Sequence, residues 1–183
     1  MGVRIVAGSR KGHRIEAPAG RTTRPTSDRV RENVFNLVAP WVEASAVLDL
    51  YAGSGAVGLE ALSRGADRAV FVESDVSACK AINANLEKLR LTGATVLQRD
   101  ATQALAAEAA AGRRYDFVLV DPPYEMFSSL QNALSRYLPA LLADDGLVVV
   151  ETDAREEPEL PFAKRTSRRY GSARLTVFEH EHP

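Results

Sequence analysis

The run Phe117-Val118-Leu119-Val120, followed at once by Asp121-Pro122-Pro123-Tyr124, constrains this chain more than any other stretch. A continuous apolar run bounded by turn residues reads as a strand buried on both faces, and such strands belong to parallel sheets covered by helices. In an open sheet of that kind the ligand crevice lies beyond the carboxyl ends of the strands, so the tetrapeptide opens into it. Consecutive prolines fix φ and remove two backbone donors, which leaves carbonyls expected to face outward as fixed acceptors. A carboxylate, rigid carbonyls and an aromatic ring together suit a planar group bearing an NH2, and the edge of a nucleobase is such a group.

The rest of the chain supplies the sheet. Strands are expected at Ala46–Tyr51, Arg68–Glu73, Ala94–Gln98, Tyr115–Val120 and Gly146–Glu151, with helices between them to about Arg64, through Cys79, Ile82, Leu86 and Leu89, to about Gly112 and over Phe127–Leu142. The spacing of Cys79, Ile82, Leu86 and Leu89 gives one buried helix face, which makes the single cysteine a core residue. Lys164–Tyr170 and Arg174–Glu179, joined through Gly171-Ser172, read as a closing antiparallel hairpin. Upstream, Val3–Gly8 and His13–Ala17 read as a β-hairpin with a basic tip, Pro18–Ser27 as a linker, and a helix from about Asp28 carries Val30, Val34, Leu37 and Val38 on one face until Pro40. Ser27 or Asp28 is the expected cap of that helix. Strands alternating with helices imply an α/β fold, a Rossmann-like doubly wound, mostly parallel sheet with a closing antiparallel hairpin and an N-terminal β-hairpin extension. The expected organisation is a basic hairpin arm over residues 1–20 and one catalytic domain over 21–183.

A chain of 183 residues can bury a core without staples, and one cysteine excludes an internal disulfide. No secretory h-region and no apolar run of membrane-spanning length is visible, so a soluble, cytoplasmic protein is expected. One cysteine and three scattered histidines offer no zinc site, and no nucleophile–base–acid triad is legible. Charge is unevenly placed. Through position 31, eight basic residues stand against Glu16 and Asp28, a net +6 that leaves −7 for the remainder of a chain whose formal charge is −1. Such asymmetry suits an edge that faces nucleic acid, although a solvated terminus gives the same count.

Gly53-Ser54-Gly55-Ala56-Val57-Gly58 follows a strand and opens a helix, and Glu73 closes the next strand. Glycines in that place let the backbone approach a ligand, and the acidic side chain accepts from ribose hydroxyls. Enzymes that bind NAD share this pattern. Asp49, however, would set a negative charge against a pyrophosphate and instead suits a cationic ammonium group. Asp100 ends the third strand, where a carboxylate can accept from an adenine amino group, or simply cap the following helix. A ligand with an amino-acid end, a ribose and an adenine satisfies these positions, and S-adenosylmethionine is one.

Asp49–Glu60 resembles motif I of class I S-adenosylmethionine-dependent methyltransferases, and Asp121–Tyr124 resembles the motif of enzymes that methylate exocyclic amines of bases. Arg4–Gly8, Arg24–Glu32 with Phe35-Asn36, and Arg169–Gly171 resemble the RsmD-type 16S ribosomal RNA guanine-N2 methyltransferases. The resemblance implies Asp49, Tyr51, Gly53, Ser54, Gly55, Glu73, Ser74, Asp100, Ala101 and Asp121 around the cofactor, and Asp121, Pro122 and Tyr124 at the base. It directs Arg4, Arg10, Lys11, Arg14, Arg24 and Arg29 towards RNA, and it implies 16S rRNA as the partner, in a small ribosomal subunit or an assembly intermediate. No metal is implied. Val3 ahead of Arg4 and Glu125 beside the tetrapeptide depart from the family pattern without breaking a motif. The rival readings are an adenine-N6 methyltransferase acting on DNA or RNA, a non-catalytic RNA-binding assembly factor on the same scaffold, and an NAD-binding oxidoreductase.

Overall fold

The computed structural model describes residues 2–19 and 28–182, and the expectations for Arg24 and the Ser27 cap fall outside them. The central sheet has seven strands. In chain order these are β3 (Ala46–Leu50), β4 (Arg68–Glu73), β5 (Ala94–Gln98), β6 (Tyr115–Val120), β7 (Leu142–Asp153), β8 (Ala163–Tyr170) and β9 (Ala173–Glu179). They lie side by side as β5-β4-β3-β6-β7-β9-β8. The first five in that row are parallel, and the last two add the antiparallel hairpin. The order reverses at β3, so the loops after β3 and β6 bound the crevice where an open α/β sheet takes its ligand.

Each face of the sheet has its own core. Helices α1 (Asp28–Val38), α2 (Ala56–Ser63) and α3 (Val76–Leu89) cover one face, where Val34, Phe35, Leu59 and Ile82 meet Phe71, Phe117 and Val149. Helices α4 (Ala101–Ala110) and α5 (Phe127–Leu141) cover the other, where Leu105, Leu134 and Leu138 meet Val118, Val120 and Val148. The doubly wound expectation is met. Central strands flanked on both sides must be apolar along their whole length, which is why the runs were legible.

Three elements differ from the sequence reading. Strand β7 starts at Leu142 rather than Gly146, because Leu142 leaves α5 with extended φ and ψ of −83° and 126° and pairs at once with Tyr115. On α1 the buried face includes Arg31 and Phe35, whereas Leu37 is only partly covered. The N-terminal hairpin ladder is short, with β1 (Val3–Arg4) and β2 (Arg14–Ile15) contributing two residue pairs. Its strands end early because the Val6 and Ala7 N–H groups turn to the buried carboxylate of Glu60, at 2.9 Å each. Ile5 and Ile15 enter the α1–α3 core, so the hairpin is packed into the domain.

Candidate active site

At the carboxyl ends of the parallel strands the chain places a rank of acids. Glu73, Asp121 and Glu151 come directly after Val72, Val120 and Val150, which register with Leu50 or with one another across β4, β3, β6 and β7. Asp49 precedes Leu50 and sits deeper, 2 % exposed. Its Oδ2 accepts from the Gly58 N–H at 3.0 Å. Burial pushes the Asp49 carboxyl up from 3.8 to about 7, and the neighbouring charges of Asp121 and Glu73 push in the same direction, opposed by the Gly58 hydrogen bond. Among the described residues no cation lies within ion-pair distance of Asp49.

The glycine loop is built around that carboxylate. Tyr51 leaves β3 with φ of 61°, an uncommon left-handed conformation that swings the chain out of the sheet. Gly55 caps α2 with φ of 81°. A side chain on Gly58 would lie 2.2 Å from the Phe71 ring, so this glycine allows α2 to approach β4. A side chain on Gly53 would meet nothing within 4 Å. The backbone there faces open space, as an approach surface for a ligand requires. Glu73 Oε2 accepts from the Gly53 N–H at 2.9 Å and its Oε1 from the Asp75 N–H at 3.0 Å, so Glu73 holds the loop while keeping lone pairs for a ligand. Ser54 is tied through its carbonyl to Asn85, a buried residue of α3 that also bonds both backbone groups of Glu16.

Asp100 is the N-cap of α4, its Oδ1 accepting from Thr102 and Gln103, and Ala101 is buried behind it. Tyr51 stands close to Asp100 and Glu73, and its hydroxyl pKa is raised by burial and by their charges. Ser74 is exposed at the end of β4. The cofactor-directed residues thus converge on the ends of β3, β4 and β5.

The Asp121-Pro122-Pro123-Tyr124 turn stands beside them at the end of β6. Asp121 is half-buried and Pro122 buried. The expectation of two outward carbonyls needs one correction. Pro123 is the N-cap of a short 3-10 turn over Tyr124–Met126, and its carbonyl accepts the Met126 N–H at 2.9 Å. Only the Pro122 carbonyl remains for a ligand. Tyr124 Oη donates to Glu151 Oε1 at 3.4 Å, while Glu125 is exposed.

A family model described as Conserved hypothetical protein 95 matches residues 3–179. Ribosomal RNA small subunit methyltransferase D of Escherichia coli (strain K12) is 37% identical over 153 residues, 82% of this chain and 75% of that protein. Protein YlbH of Bacillus subtilis (strain 168) is 40% identical over 162 residues, 87% of this chain and 86% of that one. The chain belongs to the RsmD family. It is an enzyme, a methyltransferase. The solved structure of a hypothetical protein, TTHA0928, from Thermus thermophilus superposes with a TM-score of 0.83 at 33% identity, covering 97% of this chain and 99% of that one. SMU.776, solved in complex with SAH, shares the fold at a TM-score of 0.68 and 16% identity, over 82% of this chain and 48% of that one.

For this RsmD-family chain five of the six basic residues expected to face RNA fall among the described residues, and Arg4 and Arg14 are cross-strand partners in the N-terminal hairpin. Arg4, Lys11, Arg14 and Arg29 are exposed. Arg10 is half-buried, and its guanidinium donates to the Leu89 carbonyl and, at 3.2 Å, to the Arg90 carbonyl at the end of α3. The hairpin tip rests on the end of α2, where the Ser9 N–H donates to the Ser63 carbonyl at 2.7 Å. The tip therefore sits one α2 length from the glycine loop, about 12 Å for eight residues at about 1.5 Å per residue. Sequence reasoning missed Glu151, Glu60 and Arg31. Glu60, 0% exposed, accepts from Val6, Ala7 and Arg64 and lies 3.8 Å from the buried Arg31 Nε. An acidic residue between Leu59 and Ala61 in a strongly apolar helix was the available signal. Among the described residues no group of three or more His, Cys, Asp or Glu could hold a metal ion, and no helix is long and apolar enough to cross a membrane.

Proposed function

We propose that this enzyme transfers a methyl group from S-adenosylmethionine to the exocyclic N2 amine of a guanine in small-subunit rRNA, within a ribosomal subunit or assembly intermediate in the cytoplasm. The observation that carries the reading is the placement of Asp121, on its proline-stiffened turn, beside the glycine loop and the uncompensated Asp49 carboxylate. The residues fit the cofactor. Asp49 would face its ammonium group, Gly53 and Gly55 its backbone-lined approach, Glu73 the ribose and Asp100 the adenine, with Tyr51, Ser54, Ser74 and Ala101 lining the same space. The bound cofactor supplies an electrophilic methyl carbon on a sulfonium.

The amine of guanine is a poor nucleophile because its lone pair is delocalised into the ring. Asp121 and the Pro122 carbonyl accept its two N–H bonds, holding the nitrogen in line with the methyl carbon and favouring its pyramidal form. Positioning and electrostatics supply most of the rate gain. As the amine would take up the methyl group, with the S–C electron pair left on sulfur, the surplus proton would pass along the hydrogen bond to Asp121, so no strong base is needed. Tyr124 stacks on a base turned out of its helix or loop. Glu151 favours guanine, which carries an N1–H donor beside the amine, where adenine carries a lone pair.

Changing Asp121 to Ala is expected to lower transfer by about 10²-fold or more, with S-adenosylhomocysteine affinity held within a few fold by calorimetry. Equal loss of both would assign Asp121 to the cofactor instead. Mass spectrometry of rRNA nucleosides from cells with and without the protein identifies the product. Methylated adenosine in place of N2-methylguanosine would overturn the base assignment.

A further inference from the structure

A cleft opens beside the edge strand β8. It holds about 570 Å³ between α1, which contributes Asn33, Asn36 and Leu37, and β8, which contributes Arg165, Thr166, Arg168 and Tyr170. Strand β8 is an edge of the sheet, and it brings Lys164, Arg165, Arg168 and Arg169 together. Two of these cations are occupied. Lys164 pairs with Glu157 at 3.1 Å, and Arg165 pairs with Glu179 at 2.9 Å while its guanidinium lies 4.9 Å above the Trp41 ring. Among the described residues Arg168 has no carboxylate within ion-pair distance, and it is exposed.

The strand register places Arg168 with respect to the chemistry. Arg168 pairs with Leu175, Leu175 with Glu151, and Glu151 follows Val150, which pairs with the Val120 that precedes Asp121. Arg168 is therefore level with Asp121, three strand spacings or about 14 Å away. Leu175 and Val177, the partners of Arg168 and Thr166, belong to the α1-side core, so Arg168 and Thr166 share the sheet face of α1. Basic residues on an edge strand also guard against edge-to-edge pairing. That role accounts for the charges, but not for a concave polar wall of Asn33 and Asn36 facing them, nor for a tyrosine at the catalytic end. The hairpin tip, in contrast, rests on the carboxyl ends of α2 and α3.

We propose that the α1–β8 cleft is the track along which single-stranded RNA runs into the catalytic mouth, with Arg168 on a phosphate, Asn33 and Asn36 on sugar or base edges, and Tyr170 stacked on a base. This rests on the rRNA reading above and names the surface that reading lacks. Single-stranded recognition by a cationic groove with an aromatic platform needs these parts and no others.

The test titrates the full chain with a fluorescein-labelled single-stranded oligouridylate over a series of KCl concentrations. Each phosphate contact contributes a slope of about 0.7 in log Kd against log salt. Arg168→Ala should lower the slope by about that amount. Tyr170→Ala should weaken binding about fivefold or more at unchanged slope. Arg113→Ala, at an exposed side chain near Glu108 in a separate cleft, should change neither. S-adenosylhomocysteine affinity should be unaltered throughout, which excludes misfolding. A wild-type slope near zero, an unchanged slope in Arg168→Ala, or an equal fall in Arg113→Ala overturns the track. Loss of binding to the small ribosomal subunit with intact binding to the oligonucleotide would assign the cleft to a ribosomal protein, and also overturns it. Methyl transfer to rRNA is measured separately on the wild type, so failure of the catalytic reading is distinguishable from failure of the track.

Discussion

The affinity for cofactor should depend on pH through Asp49. Its carboxyl is pushed up to about 7 in the folded protein, because the side chain is buried with Asp121 and Glu73 near it and, among the described residues, only Gly58 donates to it. A ligand ammonium binds the ionised form, so apparent affinity scales with the ionised fraction. At about pH 6 that fraction is roughly one in eleven, and at about pH 7.5 roughly three in four, which gives about an eightfold fall in affinity. Binding at about pH 6 should release nearly one proton. Calorimetry with S-adenosylhomocysteine in buffers of different ionisation enthalpy reads both quantities. Asp49→Asn should bind weakly at every pH and release no proton. The same shift has a consequence for the apo protein. The folded pKa lies above the unfolded value of 3.8, so the contribution of Asp49 to stability is intact below about pH 4 and declines as pH rises to about 7, by at most about 1.4 kcal/mol per unit. A wild-type affinity flat between about pH 6 and 7.5, or an Asp49→Asn variant that kept the wild-type profile, would refute the argument.

Three further outcomes follow from buried contacts. Glu60→Ala removes the buried one of the two carboxylates beside Arg31, whose side chain is 1% exposed, along with the acceptor of the Val6 and Ala7 N–H groups, and should lower stability by about 3–5 kcal/mol in urea unfolding; a change under about 1 kcal/mol would show that Asp28, 3.2 Å from Arg31, compensates the charge by itself. Gly58→Ala puts a methyl group 2.2 Å from the Phe71 ring, and should cost about 1–3 kcal/mol in the same assay together with cofactor affinity, because α2 and the Gly58 N–H that holds Asp49 must both shift. Glu151→Ala should reduce kcat/KM on the rRNA substrate by about 10- to 150-fold, the equivalent of about 1.5–3 kcal/mol, while leaving S-adenosylhomocysteine affinity unchanged, and an unaltered kcat/KM would remove Glu151 from base recognition.

What the sequence discloses and what it hides divide along a physical line. The parallel strands, the glycine loop and the Asp121 turn are legible because each answers a local requirement: apolar faces on both sides of a strand, positive φ at Gly53 and Gly55, fixed φ at two prolines. Arg31, Glu60 and Asn85 are illegible because their burial depends on partners from distant segments, and periodicity counts each as a solvent-facing residue. The hairpin tip illustrates a different failure. Its charge was countable, yet only the contacts of Ser9 and Arg10 with the ends of α2 and α3 show which end of the domain it occupies.

The basic edge strand makes the same point more sharply. Arg168 and Arg169 are adjacent, identical in type and both exposed, and no property of the sequence separates them. The register with β9 does, because Arg168 pairs with Leu175 of the α1-side core and Arg169 with Arg174 of the opposite face. A slip of one residue would exchange the two. The β-bulge between Lys164 and Thr166 sets that register before the strand reaches Arg168. The irregularity near the foot of β8 thus decides which arginine stands on the α1 face of the sheet.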